Sequence, residues 1–151
     1  MTGVQTCALP IWYAQNGSSI PERKISGKAV QDGKFLYLQL EEKGLDLDKL
    51  RPQWWSGDGW ELFFSASRSG FPYHQLAINP KGEFYAFSYR DSLIDAKKWD
   101  CGASVRSEQK DGCWKIWIAL PLTSLMSEDA VAANSPIFVS RLRPLPSSAY
   151  S

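Results

Sequence analysis

The chain has 151 residues, enough for one domain with a buried core, and its formal net charge of +1 excludes the basic surfaces that bind nucleic acids or anionic membranes. No apolar run approaches the roughly 20 residues needed to cross a bilayer, so no membrane insertion is expected. Seven tryptophans are more than the packing of a core requires, and they direct attention to aromatic residues on the surface.

The first eleven residues, MTGVQTCALPI, do not have the pattern of a strand, a helix or an export signal. The peptide resembles the translation of a widely used sequencing adapter, read from a GTG start. We therefore expect residues 1–11 to be foreign to the natural protein. Residues 12–151 are expected to form a single domain that the sequence enters part-way.

From Lys34 onward, apolar residues recur with a period of two, which is typical of strands that bury one face. Strands are predicted at residues 35–42, 60–67, 73–79 and 83–90. In the second of these, Trp60, Leu62 and Phe64 point to one side and Glu61 to the other. The segment Asn79-Pro80-Lys81-Gly82 favours a type I turn.

The second half of the chain continues this pattern. Residues 91–100 are predicted to connect two sheets, with one helical turn at 97–99, and residues 121–126 are predicted to form another helical turn. Strands at 102–108 and 113–120 flank Asp111-Gly112, a strong hairpin signal because these residues tolerate positive φ. The last strand is predicted at 137–143. Seven short strands without a long amphipathic helix predict an all-β fold, an antiparallel β-sandwich of immunoglobulin-like two-sheet architecture.

Cys101 and Cys113 are the two cysteines outside the adapter-like segment. The predicted hairpin places Cys113 beside the turn and Cys101 near the far end of its strand. At about 3.3 Å per residue, this separation is too long for a disulfide. Both are therefore predicted to be ordinary thiols, and they leave the redox compartment open.

Trp54 and Trp55 lie just before the strand that carries Glu61. A pyranose ring packs its C–H face on an indole, and its hydroxyls need directional hydrogen-bonding partners. An exposed tryptophan beside a carboxylate therefore predicts a sugar-binding surface. The alternative is that Trp54, Trp55 and Trp60 are core residues, but all three cannot point the same way.

Five sequence features occur in a characteristic order. They are Phe35-Leu36-Tyr37, the D-x-x-E-φ-F pattern at 58–63, the Q-φ-x-φ-N-P-x-G pattern at 75–82, the hairpin near Trp114 with the A-φ-P-φ-x-x-L element at 119–125, and a late strand with Arg141 and Arg143. This order resembles the family 9 carbohydrate-binding modules, which share their fold with the sugar- and haem-binding DOMON-like domains. The resemblance covers residues 25–151.

The resemblance implies a sugar held between two tryptophans and hydrogen-bonded by acidic, amide and arginine side chains. It places the first tryptophan at Trp55, with Trp54 beside it, and the carboxylate at Glu61. The other implied contacts are Gln75, Asn79 and Arg143, although Arg143 could equally pair with a surface acid. The family arginine corresponds to Ala77 here, so one donor is missing. The second tryptophan would follow Ser151, so the sequence is expected to stop before it.

The resemblance also implies a biological context. It implies a non-catalytic module that binds a poly- or oligosaccharide and is covalently linked to other domains of a larger bacterial protein, such as a glycoside hydrolase. It implies an extracellular or periplasmic location. No cofactor is expected except a calcium ion, which is habitual in the family and whose ligands this sequence does not identify.

Two other functions remain open at this stage. A haem-binding electron-transfer domain of the same fold would need axial ligands, for which His74 and Met126 are the candidates. His74 shares a strand face with Leu76 and Ile78, which favours a role in the core or at a sheet edge. A structural β-sandwich that links other domains is the second alternative.

A glycosidase would need two carboxylates about 5–9 Å apart. Asp58 and Glu61 are close in sequence, but a regular strand would direct them to opposite faces. Asp58 lies between two glycines, a position that favours capping of a turn. The acids at 41, 42, 46 and 48 are predicted to form a solvated strand end and loop. No catalytic residue is therefore assigned.

Overall fold

In the computed structural model, the described residues are 24–53, 57–66, 71–133, 135 and 137–142. Within them, two antiparallel sheets contain all of the strands, which are β1 (Lys24–Gln31), β2 (Phe35–Lys43), β3 (Trp60–Ser65), β4 (Tyr73–Ile78), β5 (Phe84–Tyr89), β6 (Lys97–Lys98), β7 (Ser104–Lys110), β8 (Cys113–Pro121) and β9 (Phe138–Leu142). Helical structure in these ranges is limited to α1 (Glu128–Ala132) and 3-10 turns at Leu47–Lys49 and Leu122–Ser124. The predicted antiparallel β-sandwich is confirmed.

The four-stranded sheet has the order β1-β2-β8-β7, and the five-stranded sheet has the order β6-β5-β4-β3-β9. The predicted β7–β8 hairpin is present, with Lys110 opposite Cys113. Its two turn residues, Asp111 and Gly112, have φ angles of 52° and 68°. Positive φ at both central residues is the requirement of a type I′ turn, whose twist matches that of the strands.

The core lies between the two sheets and is built by alternate residues of their strands. On β3, Trp60, Leu62 and Phe64 are buried, as the period of two predicts. Trp60 meets Trp114 of β8 edge to face, with ring centroids 6.0 Å apart and an interplanar angle of 72°. Both indoles are 0% exposed, so Trp60 belongs to the core.

Two strands differ from the sequence-based expectation. β1 was not predicted, because its inward positions include the small residues Gly27 and Ala29, which give a weak hydrophobic period. β6 replaces the helical turn predicted at 97–99. Lys97 and Lys98 pair with β5 and form the edge of the sheet, and the Trp99 N–H donates to the carbonyl of Ala86 at 3.0 Å. Tertiary pairing therefore overrides the local helical propensity of this segment.

Glu42 contradicts the prediction of a solvated strand end. Its side chain is 0% exposed, because it continues the inward series of Leu36, Leu38 and Leu40 along β2. Its neighbour Glu41 points outward. The prediction of a solvated acid is therefore wrong for Glu42, whereas the period of two correctly places its side chain on the inward face of β2.

The two cysteines lie at opposite ends of the β7–β8 hairpin. Cys113 pairs beside the turn, and Cys101 precedes β7 at the other end. Both are free thiols. Burial raises the pKa of each thiol.

His74 lies on the core side of β4 and stacks on Trp99, with ring centroids 4.3 Å apart. Its Nδ1 atom is buried and has no hydrogen-bond partner within the described residues. Burial lowers the pKa of His74 below its ordinary value of 6.5, because the charged imidazolium loses hydration there. Packing, as the strand pattern suggested, is the observed role of this imidazole.

This burial predicts a dependence of stability on pH. The unfolded chain binds a proton at His74 below about pH 6.5, whereas the folded chain resists it, so the free energy of unfolding should fall as pH decreases through this range. Urea titration measures the free energy of unfolding at pH 7.5 and at pH 5.5. In His74→Phe, the difference between these two free energies should be smaller than in the unmodified protein. An equal difference in both proteins would contradict the claim that buried His74 causes the pH dependence.

Candidate functional site

The outer face of the five-stranded sheet carries three cross-strand rows on β3, β4 and β5. Two rows span all three strands, Glu61–Ala77–Tyr85 and Phe63–Gln75–Phe87, and the third row pairs Tyr73 with Tyr89. Aromatic rings therefore dominate a face that points away from the core. The alternation of Tyr85, Phe87 and Tyr89 against Ala86 was a sequence signal for this surface that the sugar-site prediction did not use.

A small pocket lies at the first of these rows. Ala77 is short, and it leaves a depression between Glu61 on one side and Tyr85 on the other. The pocket has a volume of about 70 Å³, and Gln53 and Gly57 border it at the loop that leads into β3. Ala77, where the sequence resemblance would place an arginine, thus lines the pocket.

Glu61 is the polar group of this pocket on β3. Its side chain is half-buried, and no hydrogen bond or ion pair joins its carboxylate to another group in the described part of the chain. Burial raises the pKa of Glu61, because the charged form loses hydration. Among the described residues that line the pocket, none is a lysine or arginine. The carboxylate is therefore available to accept hydrogen bonds from a ligand.

Gln75 lies in the next row, beside the pocket. Its side chain is 7% exposed, and its Oε1 atom accepts a hydrogen bond of 2.7 Å from the Tyr89 hydroxyl. Within the described residues, the Gln75 Nε2 atom has no partner. Its two N–H donors lie on the same sheet face as the Glu61 acceptor, one cross-strand row away.

Asn79 has a different position from Gln75, because it follows the last residue of β4. It is 2% exposed, and its Nδ2 atom donates to the carbonyl of Pro52 at 3.1 Å and to Glu83 Oε2 at 2.7 Å. Its Oδ1 atom accepts from the N–H groups of Lys81 and Glu83 at 3.0 and 3.1 Å. These bonds use the whole capacity of the amide. In this arrangement, Asn79 fixes the β4–β5 turn against the preceding loop and has nothing left for a ligand.

Asp58 braces the loop before β3, a structural role in line with its position between two glycines. It is buried, its Oδ2 atom accepts from the Arg51 N–H at 3.0 Å, and its own N–H donates to the Arg51 carbonyl at 2.7 Å. Asp58 and Glu61 border the same pocket. Asp58 precedes β3, so the alternation of the strand does not extend to it.

Gly57 is the tightest position of this loop. A Cβ atom there would collide with the carbonyl oxygens of Arg51 and Gln53 and lie 2.9 Å from the Gln53 nitrogen. At Gly59, the closest atom to a Cβ would be the Ile78 carbonyl oxygen at 3.4 Å. Only the first of these two glycines is required by the close approach of backbone atoms.

Gly57→Ala should therefore lower the melting temperature by several degrees, because three backbone contacts must shift to admit the methyl group. The matched variant Gly59→Ala should change it by much less. Thermal unfolding followed by circular dichroism measures both. Equal effects at the two positions would show that the loop adapts without strain.

Trp54, Trp55 and Arg143 lie outside the described residues. In the sequence, Trp54 follows Gln53, which borders the pocket. The role of these three residues stays a prediction.

The four-stranded sheet presents a different outer face. Its charged groove, of about 380 Å³, is bordered by Glu41, Lys43 and Lys115. Both lysines form ion pairs of 2.8 Å with Glu41. Trp117 lies beside this groove, and the cations of Arg106 and Lys115 cover its ring at 5.1 and 5.7 Å from the centroid. Glu41 is thus paired with two lysines, in contrast to Glu61.

In the part of the chain that the structure describes, no group of three or more His, Cys, Asp or Glu side chains could hold a metal ion. The expected calcium ion therefore stays a prediction without assigned ligands. The same residues include no helix that is long and apolar enough to cross a membrane.

The fold is similar to the crystal structure of a candidate carbohydrate-binding protein from Bacteroides uniformis. The TM-score is 0.56 at 11% sequence identity, and the match covers 80% of this chain and 62% of that chain. The chain thus spans less than two thirds of the protein that it matches, and at this identity the likeness is one of fold. No family model and no curated protein matches the sequence.

Proposed function

We propose that this domain binds carbohydrate, without catalysis, at the pocket formed by Glu61, Ala77 and Tyr85. The observation that carries the proposal is the half-buried Glu61 carboxylate, which has no partner among the described residues and lies between aromatic side chains. A group in this state is costly for the fold, and ligand hydroxyls would satisfy it.

The chemistry of the pocket suits a sugar ring. Ring hydroxyls donate to the Glu61 carboxylate, and hydrogen bonds to a charged group contribute about 1.5–3 kcal/mol each. The C–H face of the sugar packs on the exposed ring of Tyr85 or on Phe87. Gln75 supplies donors for a further sugar oxygen.

Trp55 and Trp54 complete the proposed site from the loop side. They directly follow Gln53 in the sequence, and the resemblance to the family 9 carbohydrate-binding modules assigns the stacking role to Trp55. Arg143 follows Leu142, which pairs with Glu61 on the neighbouring strand, and it is a further proposed contact.

The proposed biological role is that of a binding module in a larger, exported bacterial protein that acts on carbohydrates or displays them at a surface. The support for this role is the order of sequence features and the fold likeness to the Bacteroides uniformis protein. The proposed partner is a poly- or oligosaccharide.

Isothermal titration calorimetry with cellotetraose, xylotetraose, galactotetraose and tetragalacturonate tests the proposal. At least one neutral tetraose should bind with a Kd below about 1 mM, which corresponds to about −4 kcal/mol. Tetragalacturonate should bind more weakly than the best neutral sugar, because its carboxylates meet the charge of Glu61. No binding by any of the four would overturn the proposed function.

A further inference from the structure

We propose that Tyr89 is a positioning residue of this site, which holds the Gln75 carboxamide with its two N–H donors directed to the ligand. The effect of Tyr89 on sugar recognition rests on the proposed function. The positioning of Gln75 by Tyr89 does not, because it follows from the contacts of these two side chains.

The first observation is the orientation of the amide. The Tyr89 hydroxyl donates to Gln75 Oε1 at 2.7 Å, so the oxygen end of the carboxamide is held toward the neighbouring strand β5. The nitrogen end then points the other way and has no partner among the described residues. A hydrogen bond of this kind decides which end of a glutamine amide a ligand meets.

The second observation is that the Tyr89 ring is itself held in place. It stacks on Tyr73, with centroids 4.7 Å apart and an interplanar angle of 25°. Tyr73 in turn stacks on Phe71 at 5.1 Å and meets Phe63 edge to face at 5.8 Å. This aromatic cluster, composed of Phe63, Phe71, Tyr73 and Tyr89, keeps the hydroxyl aimed at Gln75.

The third observation is the proximity of Glu61. Gln75 is two residues from Ala77, the cross-strand partner of Glu61, so the two polar side chains are diagonal neighbours on one face. Burial and, to a smaller extent, the charge of Glu61 raise the pKa of Tyr89 above its ordinary value of 10.0, so the hydroxyl stays protonated as a donor. The phenol therefore remains a donor to Gln75 across the neutral range.

The pair has a defined chemistry in this orientation. Glu61 accepts hydrogen bonds, and Gln75 Nε2 donates them, so two neighbouring sugar oxygens can act as donor and acceptor at the same time. With the amide reversed, two acceptors would lie side by side, and one sugar oxygen would lose its partner. Tyr89 thus selects between two hydrogen-bonding patterns without contacting the ligand.

A double-mutant cycle with the best-binding neutral tetraose of the panel tests the inference. Tyr89→Phe should weaken binding about fivefold, the equivalent of one hydrogen bond of about 1 kcal/mol. In the Gln75→Ala background, the same change should alter affinity less than twofold, because the group that Tyr89 positions is gone. Additive effects of the two substitutions, or unchanged affinity in Tyr89→Phe, would overturn the inference.

A matched control is Tyr37→Phe, which removes a comparable hydroxyl contact, 3.0 Å from Asp32 Oδ2, on the opposite sheet. Its binding should equal that of the unmodified protein, and a fivefold loss there would mean that tyrosine hydroxyls act through general stability.

Nuclear magnetic resonance of the Gln75 side-chain amide tests, in the absence of sugar, whether Tyr89 positions this amide. The amide pair should be well dispersed in the unmodified protein and should move toward the shifts of a solvated amide in Tyr89→Phe. Unchanged signals would overturn the inference. If no sugar binds but the signals move, the positioning stands and the proposed function fails.

Discussion

Glu61→Gln is expected to weaken sugar binding about tenfold and, at the same time, to raise the melting temperature at pH 7. A neutral amide accepts weaker hydrogen bonds than a carboxylate, which explains the loss of binding. Burial raises the pKa of Glu61 above its ordinary value of 4.5, so the charged form destabilises the fold at neutral pH. Calorimetric titration and thermal unfolding measure the two effects.

The dependence on pH follows from the direction of this shift. A group with a raised pKa in the folded state contributes stability below the ordinary carboxyl pKa and loses it as pH rises through the folded-state pKa. The increase in melting temperature caused by Glu61→Gln should therefore be present at pH 7 and vanish toward pH 4. A variant that binds sugar normally, or one that is less stable at pH 7, would remove Glu61 from the site.

Glu41 offers a matched control on the other sheet. Hydrogen bonds from Lys115 and Lys43 lower the pKa of Glu41, so its charge stabilises the folded state at neutral pH. Glu41→Gln should lower the melting temperature at pH 7 and leave sugar binding unchanged. A lower melting temperature in Glu41→Gln and a higher one in Glu61→Gln would show that Glu41 is a paired acid and that Glu61 is left unpaired for a ligand.

Trp55→Ala is expected to weaken sugar binding at least tenfold with little change in the melting temperature. The proposed role of Trp55 is stacking on the sugar, and loss of an indole with that role would leave no cavity in the core. Calorimetric titration and thermal unfolding of the same preparation measure both quantities.

Trp60→Ala is the contrasting change, because Trp60 is 0% exposed and packs on Trp114. Its removal should cost about 3–5 kcal/mol of stability. A large loss of stability with unchanged binding in Trp55→Ala would mean that Trp55 is also a core residue.

The fold could be predicted from the sequence because one signal, the period of two, determines which residues enter the core. It located β2, β3, β4 and β5, and the Asp111-Gly112 turn located the β7–β8 hairpin. The prediction failed where the period of two is weak, or where pairing with a neighbouring strand determines the secondary structure. β1 has small residues at inward positions, and β6 exists because two lysines pair with β5.

The candidate site was predictable only in part. The sequence and the resemblance both pointed to Glu61 and Gln75, which the structure places in adjacent rows of one face. The pocket itself depends on the absence of a large side chain at Ala77, and no local pattern indicates such a gap. The contact from Tyr89 to Gln75 joins two strands, and a pattern along one strand cannot reveal it.

Asn79 illustrates the limit of the strand period. Odd-numbered positions of β4 share one face, which grouped Asn79 with Gln75 in the sequence. The strand ends at Ile78, and the next residue turns inward to bond the loop before β3. A prediction of facing direction fails where the strand ends, because the backbone is no longer extended.

The measurement that tests the central claim most directly is a nuclear magnetic resonance titration of the protein with the neutral tetraose that binds best. Backbone shifts should change around Glu61, Ala77 and Tyr85 on the five-stranded sheet, while those around Tyr37 and Trp117 on the four-stranded sheet should stay unchanged. Changes centred on Trp117, with none around Glu61, would contradict the account and assign binding to the other face.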